Sequence, residues 1–563
     1  MCTRCNAKHS QGGGFASTSK RLFVSRLSGI VLLLLLATYG CRLFSPSPAQ
    51  APASRPVQDQ LPITTSLPET ADSTEDSTSV ESDVSTGGET SSLDLPFEQA
   101  SAMLVRAQGD LDDLSGVPEY EIQLTIQPDL RTFTGHASMT LTGSDSPPSQ
   151  SVYFRLLPNS GASYGGGALT VTRVLVDDQE VQPVPSGDDS ILELPLPDPL
   201  QPGEWISFEF DFTGSVPVDF GGEETPDAYG IYNYSQGVLV LSAWYPQLAV
   251  YDEGGWHLDP ASPIGDSVFS ETTLYTVSIL APEDLVVIAT GVEVSQEPEG
   301  DLVRHDFMSG PVRDFFIVAS PALQRATQEV NGTRVNSYYY PADQTGGEVG
   351  LSIAAESLRS FNQHFGEYPF VELDIVQAPM RNALGVEFPG IVMIAESLYQ
   401  DVENPSFAIT IAHEVAHQWW YSVVGNDVFA EPWLDEAMST YASGVYYQDA
   451  AGEDAYQGLV GYWQERYDTL VKEGLDDVVT QDLAYFESLD TGRVYGGVVY
   501  TKGALFLKAV RDAIGDEAFF KALQDYYHAQ KYQVATGDDL LEAFERASGQ
   551  QLDPLYQEWL FSK

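Results

Sequence analysis

The 563 residues include 27 Lys and Arg against 81 Asp and Glu, a formal net charge of −54, with 43% hydrophobic and 11% aromatic residues. That hydrophobic content excludes a fibrous or wholly disordered chain, and the excess of carboxylates excludes nucleic acid as a partner and an anionic membrane reached by charge alone. The three cysteines are Cys2, Cys5 and Cys41, which leaves the body of the chain without disulfides or thiol catalysis.

Arg4, Lys8, Lys20, Arg21 and Arg26 precede an apolar run from Ile30 to Leu36 that ends in Ala37-Thr38-Tyr39-Gly40-Cys41. This is the layout of an export signal over residues 1–41 and implies an extracellular or cell-surface location. Gly40-Cys41 resembles the end of a bacterial lipoprotein signal, with Cys41 as the lipidated residue; an uncleaved anchor reaching back to Leu22 is the alternative. Residues 42–117 begin rich in Ser, Thr and Pro and turn acidic, so they read as a disordered tether that buries too little to offset the entropy of ordering.

From Tyr120, Ile122, Leu124 and Ile126 onward the apolar residues alternate, and the pattern recurs at His136 to Leu141, Val152 to Leu157, Leu169 to Val176 and Trp205 to Phe212. It continues at Thr273 to Ile279, Val286 to Ala289 and Phe315 to Val318, which predicts an antiparallel β domain over 118–322. The period then changes: Leu351 to Phe365 is helical, Val371 to Val376 and Ile391 to Ile394 are short strands, and helices prevail from Phe407, with Tyr- and Ala-rich stretches at 436–449 and 501–528. Residues 323–563 are therefore a second domain, α/β passing to α-helical.

The helical run Phe407 to Trp420 contains His413-Glu414-Val415-Ala416-His417. Spacing i, i+4 puts both imidazoles on one helix face, able to reach one cation, while Glu414 lies beside the water that cation would bind. A catalytic zinc needs a third protein ligand and an open position, and Glu436, in Glu431-Pro432-Trp433-Leu434-Asp435-Glu436, starts the next helix. One zinc ion per chain would then polarise a scissile carbonyl while Glu414 moves the water's proton to the leaving amine; cobalt or manganese would fit the same ligands.

These residues resemble the zinc aminopeptidases of the M1 family, the gluzincins that include aminopeptidase N and leukotriene A4 hydrolase. Leu384-Gly385-Val386-Glu387-Phe388 stands where the family has Gly-x-Met-Glu-Asn, Trp433-Leu434-Asp435-Glu436-Ala437 resembles Trp-Leu-Asn-Glu-Gly, and Tyr500-Thr501-Lys502-Gly503 resembles Tyr-x-Lys-Gly. The resemblance covers about 118–563 and implies a saddle-like β domain followed by a thermolysin-like catalytic domain, in a short two-domain form. It implies zinc on His413, His417 and Glu436, Glu414 as general base, and Tyr500 as donor to the oxyanion. Tyr495 matches a second tyrosine lining the pocket. Gly385, Val386 and Glu387 would align the substrate, with Glu387 pairing with the free α-ammonium of a peptide. The departures are Leu384, Val386, Phe388 and Asp435, together with a missing Arg in Leu241-Ser242-Ala243-Trp244-Tyr245-Pro246 and no recognisable second acidic partner for Glu387.

The expected activity is thus removal of N-terminal residues from peptides. A zinc endopeptidase or other metallohydrolase with relaxed N-terminal recognition is the alternative, and a surface-binding protein with a structural metal site is the non-enzymatic one. Gly161-Ala162-Ser163-Tyr164-Gly165 satisfies Gly-x-Ser-x-Gly, but it precedes a strand instead of opening a helix and reads as a glycine-rich loop. Asn233 and Asn331 head glycosylation-type triplets that mean little in a bacterial chain.

Overall fold

The computed structural model describes residues 99–563 except 115, 144–149, 185, 187, 223–224, 226–227, 253, 267 and 490–491. The export signal, Cys41 and most of the tether lie outside the described residues. Residues from 99 onward, read from sequence as tether, are structured. Two 3-10 turns, Ala100–Ala102 and Gln108–Asp113, flank Met103 and Leu104, which are buried, and Met103 bridges to the backbone of Phe370. A few apolar side chains in a polar stretch therefore bury enough to hold it, helped by Asp110, which pairs with Lys531 and accepts a hydrogen bond from Tyr532 at 2.9 Å.

The alternating segments form an eight-stranded sheet. In spatial order its strands are Val292–Glu299, Leu302–Met308, Leu274–Pro282, Glu119–Ile126, Thr132–Thr142, Trp205–Ser215, Ala168–Val176 and Gln179–Glu180. The expectation of a purely antiparallel domain is corrected here. Glu119–Ile126 pairs in parallel with Leu274–Pro282, from Glu119 opposite Leu274 to Thr125 opposite Leu280, so the sheet is mixed. Alternation reports which face of a strand is buried, not the direction of its neighbour, and these two strands are joined through most of the domain. Smaller sheets pack beside it, one of them ordered Val286–Ala289, Ile317–Ser320, Val238–Leu241 and Tyr232–Ser235.

From Gln324 the chain enters a second, five-stranded sheet, ordered Gln324–Val330, Thr333–Tyr339, Glu372–Ala378, Ile391–Ala395 and Gly385–Phe388. Helix α1 (Gln344–His364) makes the crossover between two parallel strands. Gly385–Phe388 is the edge, paired antiparallel on one side only, so its other side is free to meet an extended chain. Helices α2 (Pro405–Ala416), α3 (Trp433–Ala451) and α4 (Glu453–Lys472) follow. α2 stops at Ala416, earlier than the helical run read to Trp420, and His417 is its C-cap. The stretch 501–528, read as one helical segment, is broken at Gly515, whose φ of +82° suits glycine alone.

The two sheets share one apolar core, and Arg313 staples the β domain to the C-terminal domain. Its guanidinium donates to the carbonyls of Tyr421, Ser270 and Gln533 at 2.9, 3.0 and 2.5 Å. A buried charge is tolerated only when so completely bonded, and Gly425 makes room: a Cβ there would lie 2.0 Å from Arg313 Cζ.

Candidate active site

Two helices bring the candidate metal ligands together. His413 lies in the last turn of α2, His417 follows at its C-cap, and Glu436 opens α3. His413 Nε2 is 3.1 Å from Glu436 Oε2 and 3.1 Å from His417 Nε2, and His417 Nε2 is 3.5 Å from Glu436 Oε2. Ligands about 2.0–2.1 Å from a tetrahedral zinc sit about 3.3 Å from one another, so the donor set fits that ion. Outer contacts orient the rings: His417 Nδ1 lies 3.1 Å from the carbonyl of Trp420, and His413 Nδ1 lies 3.5 Å from Thr440 Oγ1. Burial opposes the charge of Glu436, but the hydrogen bonds from His413 and His417 outweigh it and bring the carboxyl down to about 2.

Glu414 projects from the same turn as His413 toward the edge strand. Burial pushes it up to about 8, with His417 opposing and Glu436 and Asp266 adding repulsion. Its side chain fits against Gly385, where a Cβ would lie 2.2 Å from Glu414 Oε1. Gly385 and Val386 line the cavity in the edge strand, and Glu387 is buried deeper, its Oε1 3.7 Å from His417 Nδ1. Phe388, in place of the family's Asn, is buried and stacks on Phe316 of the β domain at 3.6 Å between ring centroids. Gln418 fixes the end of this strand by donating to the Phe388 carbonyl at 3.0 Å and accepting from Gly390 N–H at 2.8 Å.

Tyr500 lies in a π-helical segment, Gly496–Lys502, and its phenol donates to Glu436 Oε1 while its ring stacks on His413 at 5.8 Å. Tyr495 immediately precedes that segment, 5.6 Å from the Tyr500 ring, and its buried hydroxyl has no hydrogen-bond partner among the described residues. Both tyrosines line a cavity of about 560 Å³ with the metal ligands His413 and Glu436.

The missing acidic partner of Glu387 is Asp266, contributed by the β domain. Carboxylate oxygens of Asp266, Glu387 and Asp435 lie within 4.8 Å of one another. Asp435, the residue after Leu434 in α3, accepts from Asn426 at 3.0 Å through Oδ1, while its buried Oδ2 is unpaired. Burial raises Glu387 to about 8, against the pull of His417 and with the repulsion of Glu414 and Glu436; burial and the Glu387 charge also raise Asp266 well above the carboxylate range. Three such groups in one place call for a cation. Sequence reasoning missed Asp266 because it is one of 81 acidic residues and sits in a loop with no motif of its own. Ser163 of the Gly-x-Ser-x-Gly stretch lies in a 3-10 turn, Ala162–Tyr164, and donates to the carbonyl of Ser262 at 3.0 Å, which is no nucleophile elbow.

Residues 349–559 match the Peptidase family M1 domain. Aminopeptidase M1-C of Oryza sativa subsp. japonica is 24% identical over 484 residues, 82% of this chain and 51% of its own length. Aminopeptidase N of Streptomyces lividans is 30% identical over 212 residues, 34% of this chain and 23% of its own. The chain thus spans about half or less of the length of the curated relatives it matches. Among solved structures, an M1 zinc metallopeptidase from Deinococcus radiodurans superposes with a TM-score of 0.59 at 22% identity, covering 79% of this chain and 94% of that one. A two-domain M1 zinc metallopeptidase bound to L-arginine gives a TM-score of 0.60 with the same identity and coverage. Residues 349–559 thus carry a peptidase family M1 domain, with His413, His417 and Glu436 inside it as a zinc-type ligand set.

Proposed function

We propose that the protein is a zinc-dependent aminopeptidase that removes N-terminal residues from peptides. The observation that carries this reading is the convergence of Asp266, Glu387 and Asp435 beside the metal ligands, a buried acidic pocket whose carboxyls an α-ammonium would hold ionised. His413, His417 and Glu436 would hold one zinc ion. When bound, zinc would polarise the scissile carbonyl and lower the pKa of the attacking water. Glu414 takes the proton of that water and passes it to the leaving nitrogen. Tyr500 can turn its phenol from Glu436 to the carbonyl oxygen as negative charge develops there. The free side of Gly385–Phe388 aligns the peptide as an added antiparallel strand. Glu414 and Tyr500 beside three candidate metal ligands favour catalysis over a structural metal.

The N-terminal segment supports export and attachment to a surface through Cys41, with residues after it as a spacer. Among the described residues no helix is long and apolar enough to cross a membrane.

The zinc-loaded full-length protein should hydrolyse amino-acid arylamides, fail on their N-acetylated counterparts, and lose activity to a chelator and regain it with zinc. Equal cleavage of blocked substrates and of internally quenched peptides would replace this reading with an endopeptidase.

A further inference from the structure

The polarity of a bound peptide can be followed along the cavity. At one end are Asp266, Glu387 and Asp435. An extended substrate antiparallel to the edge strand, with its amine at Glu387, continues past Gly385 toward Ala383 and Asn382, all of which line the cavity. Gly385 lies against Glu414, so this direction runs back along α2, where Thr410, Ile409 and Ser406 form the same wall. α3 runs antiparallel to α2, with Glu436 at His413 and Tyr447 O–H at the carbonyl of Pro405, 3.3 Å away. Thr440 and Ser443 of α3 are therefore on the leaving-group side of the metal ligands. α4 packs back along α3, with Trp463 against Gly444, where a Cβ would lie 2.8 Å from the indole.

Arg466 of α4 lies here. Among the described residues it is the only Lys or Arg that lines the cavity, in a chain where acids outnumber bases 81 to 27. It makes no ion pair among the described residues; its Nη1–H donates to Tyr462 O–H at 3.3 Å, one turn away, and its guanidinium lies 5.7 Å from that ring. Tyr462 is 50% exposed, an aromatic shelf at the cavity wall that keeps the arginine in place without neutralising it. The cavity thus carries acidic groups at Asp266, Glu387 and Asp435 and a cation on the α4 wall, on the side of Thr440.

We infer that Arg466 binds the C-terminal carboxylate of the substrate, so that the preferred substrates are short peptides with both termini free. This rests on the aminopeptidase reading above and names its substrate class. An extended chain advances about 3.3–3.6 Å per residue, so only the first few residues beyond the scissile bond can bring a carboxylate to α4. A guanidinium fork suits that group, and a charge-assisted pair of this kind in a partly exposed cleft is worth about tenfold in binding.

The test is a set of alanine peptides of two to six residues, each as free acid and as C-terminal amide, with kcat/KM measured for the full-length zinc-loaded protein and for Arg466→Ala and Arg466→Lys. The acid should exceed the amide by about tenfold at one short length, through KM, and the ratio should fall with added residues. Arg466→Ala should bring it to about one and Arg466→Lys should retain part of it; a ratio taken within one variant cancels any general loss of activity. Equal rates on acid and amide for the wild-type protein, or a ratio untouched by Arg466→Ala, would overturn the inference. Alanine arylamide carries no carboxylate, so its cleavage by the wild-type protein while acid and amide peptides stay equal would sink the Arg466 role alone. Failure on arylamides and peptides together would sink the aminopeptidase reading.

Discussion

Asp266 brings a carboxyl group of the β domain to Glu387 and Asp435, and its neutral amide would leave those two to hold an ammonium with one ionisable group fewer. Asp266→Asn is expected to lower kcat/KM on alanine arylamide about tenfold, mostly through KM, with zinc content unchanged. Unaltered KM would remove Asp266 from amine binding. The candidate ligands His413 and His417 could be read from the sequence because helical spacing converts directly into a shared face, and Glu436 because it opens the next helix within a motif like the family's. Asp266 could not: it meets Glu387 only through the docking of two domains, and no local pattern encodes that meeting. Asn426, which holds Asp435 at 3.0 Å, escaped for the same reason.

Among elements, the edge strand Gly385–Phe388 and α2 depend on each other at Gly385. A Cβ there would lie 2.5 Å from both Cδ and Cγ of Glu414, which leaves the carboxylate no room to stay. Gly385→Ala should cut kcat on arylamides by ~100-fold or more by displacing the base, while bound zinc, measured by metal analysis, stays at one per chain because no ligand is touched. Full activity in this variant would separate Glu414 from the strand. The strands and main helices were legible from their periods, but the parallel pairing of Glu119–Ile126 was not, because alternation marks the buried face of a strand and not its neighbour's direction. The π-helical turn at Gly496–Lys502 is likewise invisible to an α-helical period, although it puts Tyr495 and Tyr500, five residues apart, on one side of the cavity.

For the whole molecule, the folded state must accommodate its carboxylates as well as use them. Asp314 is fully buried among Tyr245, Gln247 and the N–H of Phe315, which bond to Oδ1 at 3.1, 2.8 and 2.7 Å, while Oδ2 has no hydrogen-bond partner among the described residues. Burial raises it to about 6 despite those bonds. The folded protein therefore holds a proton that the unfolded chain has released between about pH 4 and pH 6, and this contribution to stability, present at the acid end, is lost as the pH rises through that window. Its size is about 3 kcal/mol, so Asp314→Asn should gain stability relative to wild type by up to that amount from pH 4 to pH 7 in urea unfolding. A difference independent of pH would show that Asp314 is ionised throughout. The Asp266 pocket has a consequence of another kind. Every metal ligand falls within the short span His413 to Glu436, whereas Asp266 and Glu387 are far apart in the chain. The candidate metal site is thus local to one stretch of chain, whereas recognition of a peptide's first residue, as proposed, would require both domains in their docked positions, and a loosened interface would be expected to blur it before it cost the metal.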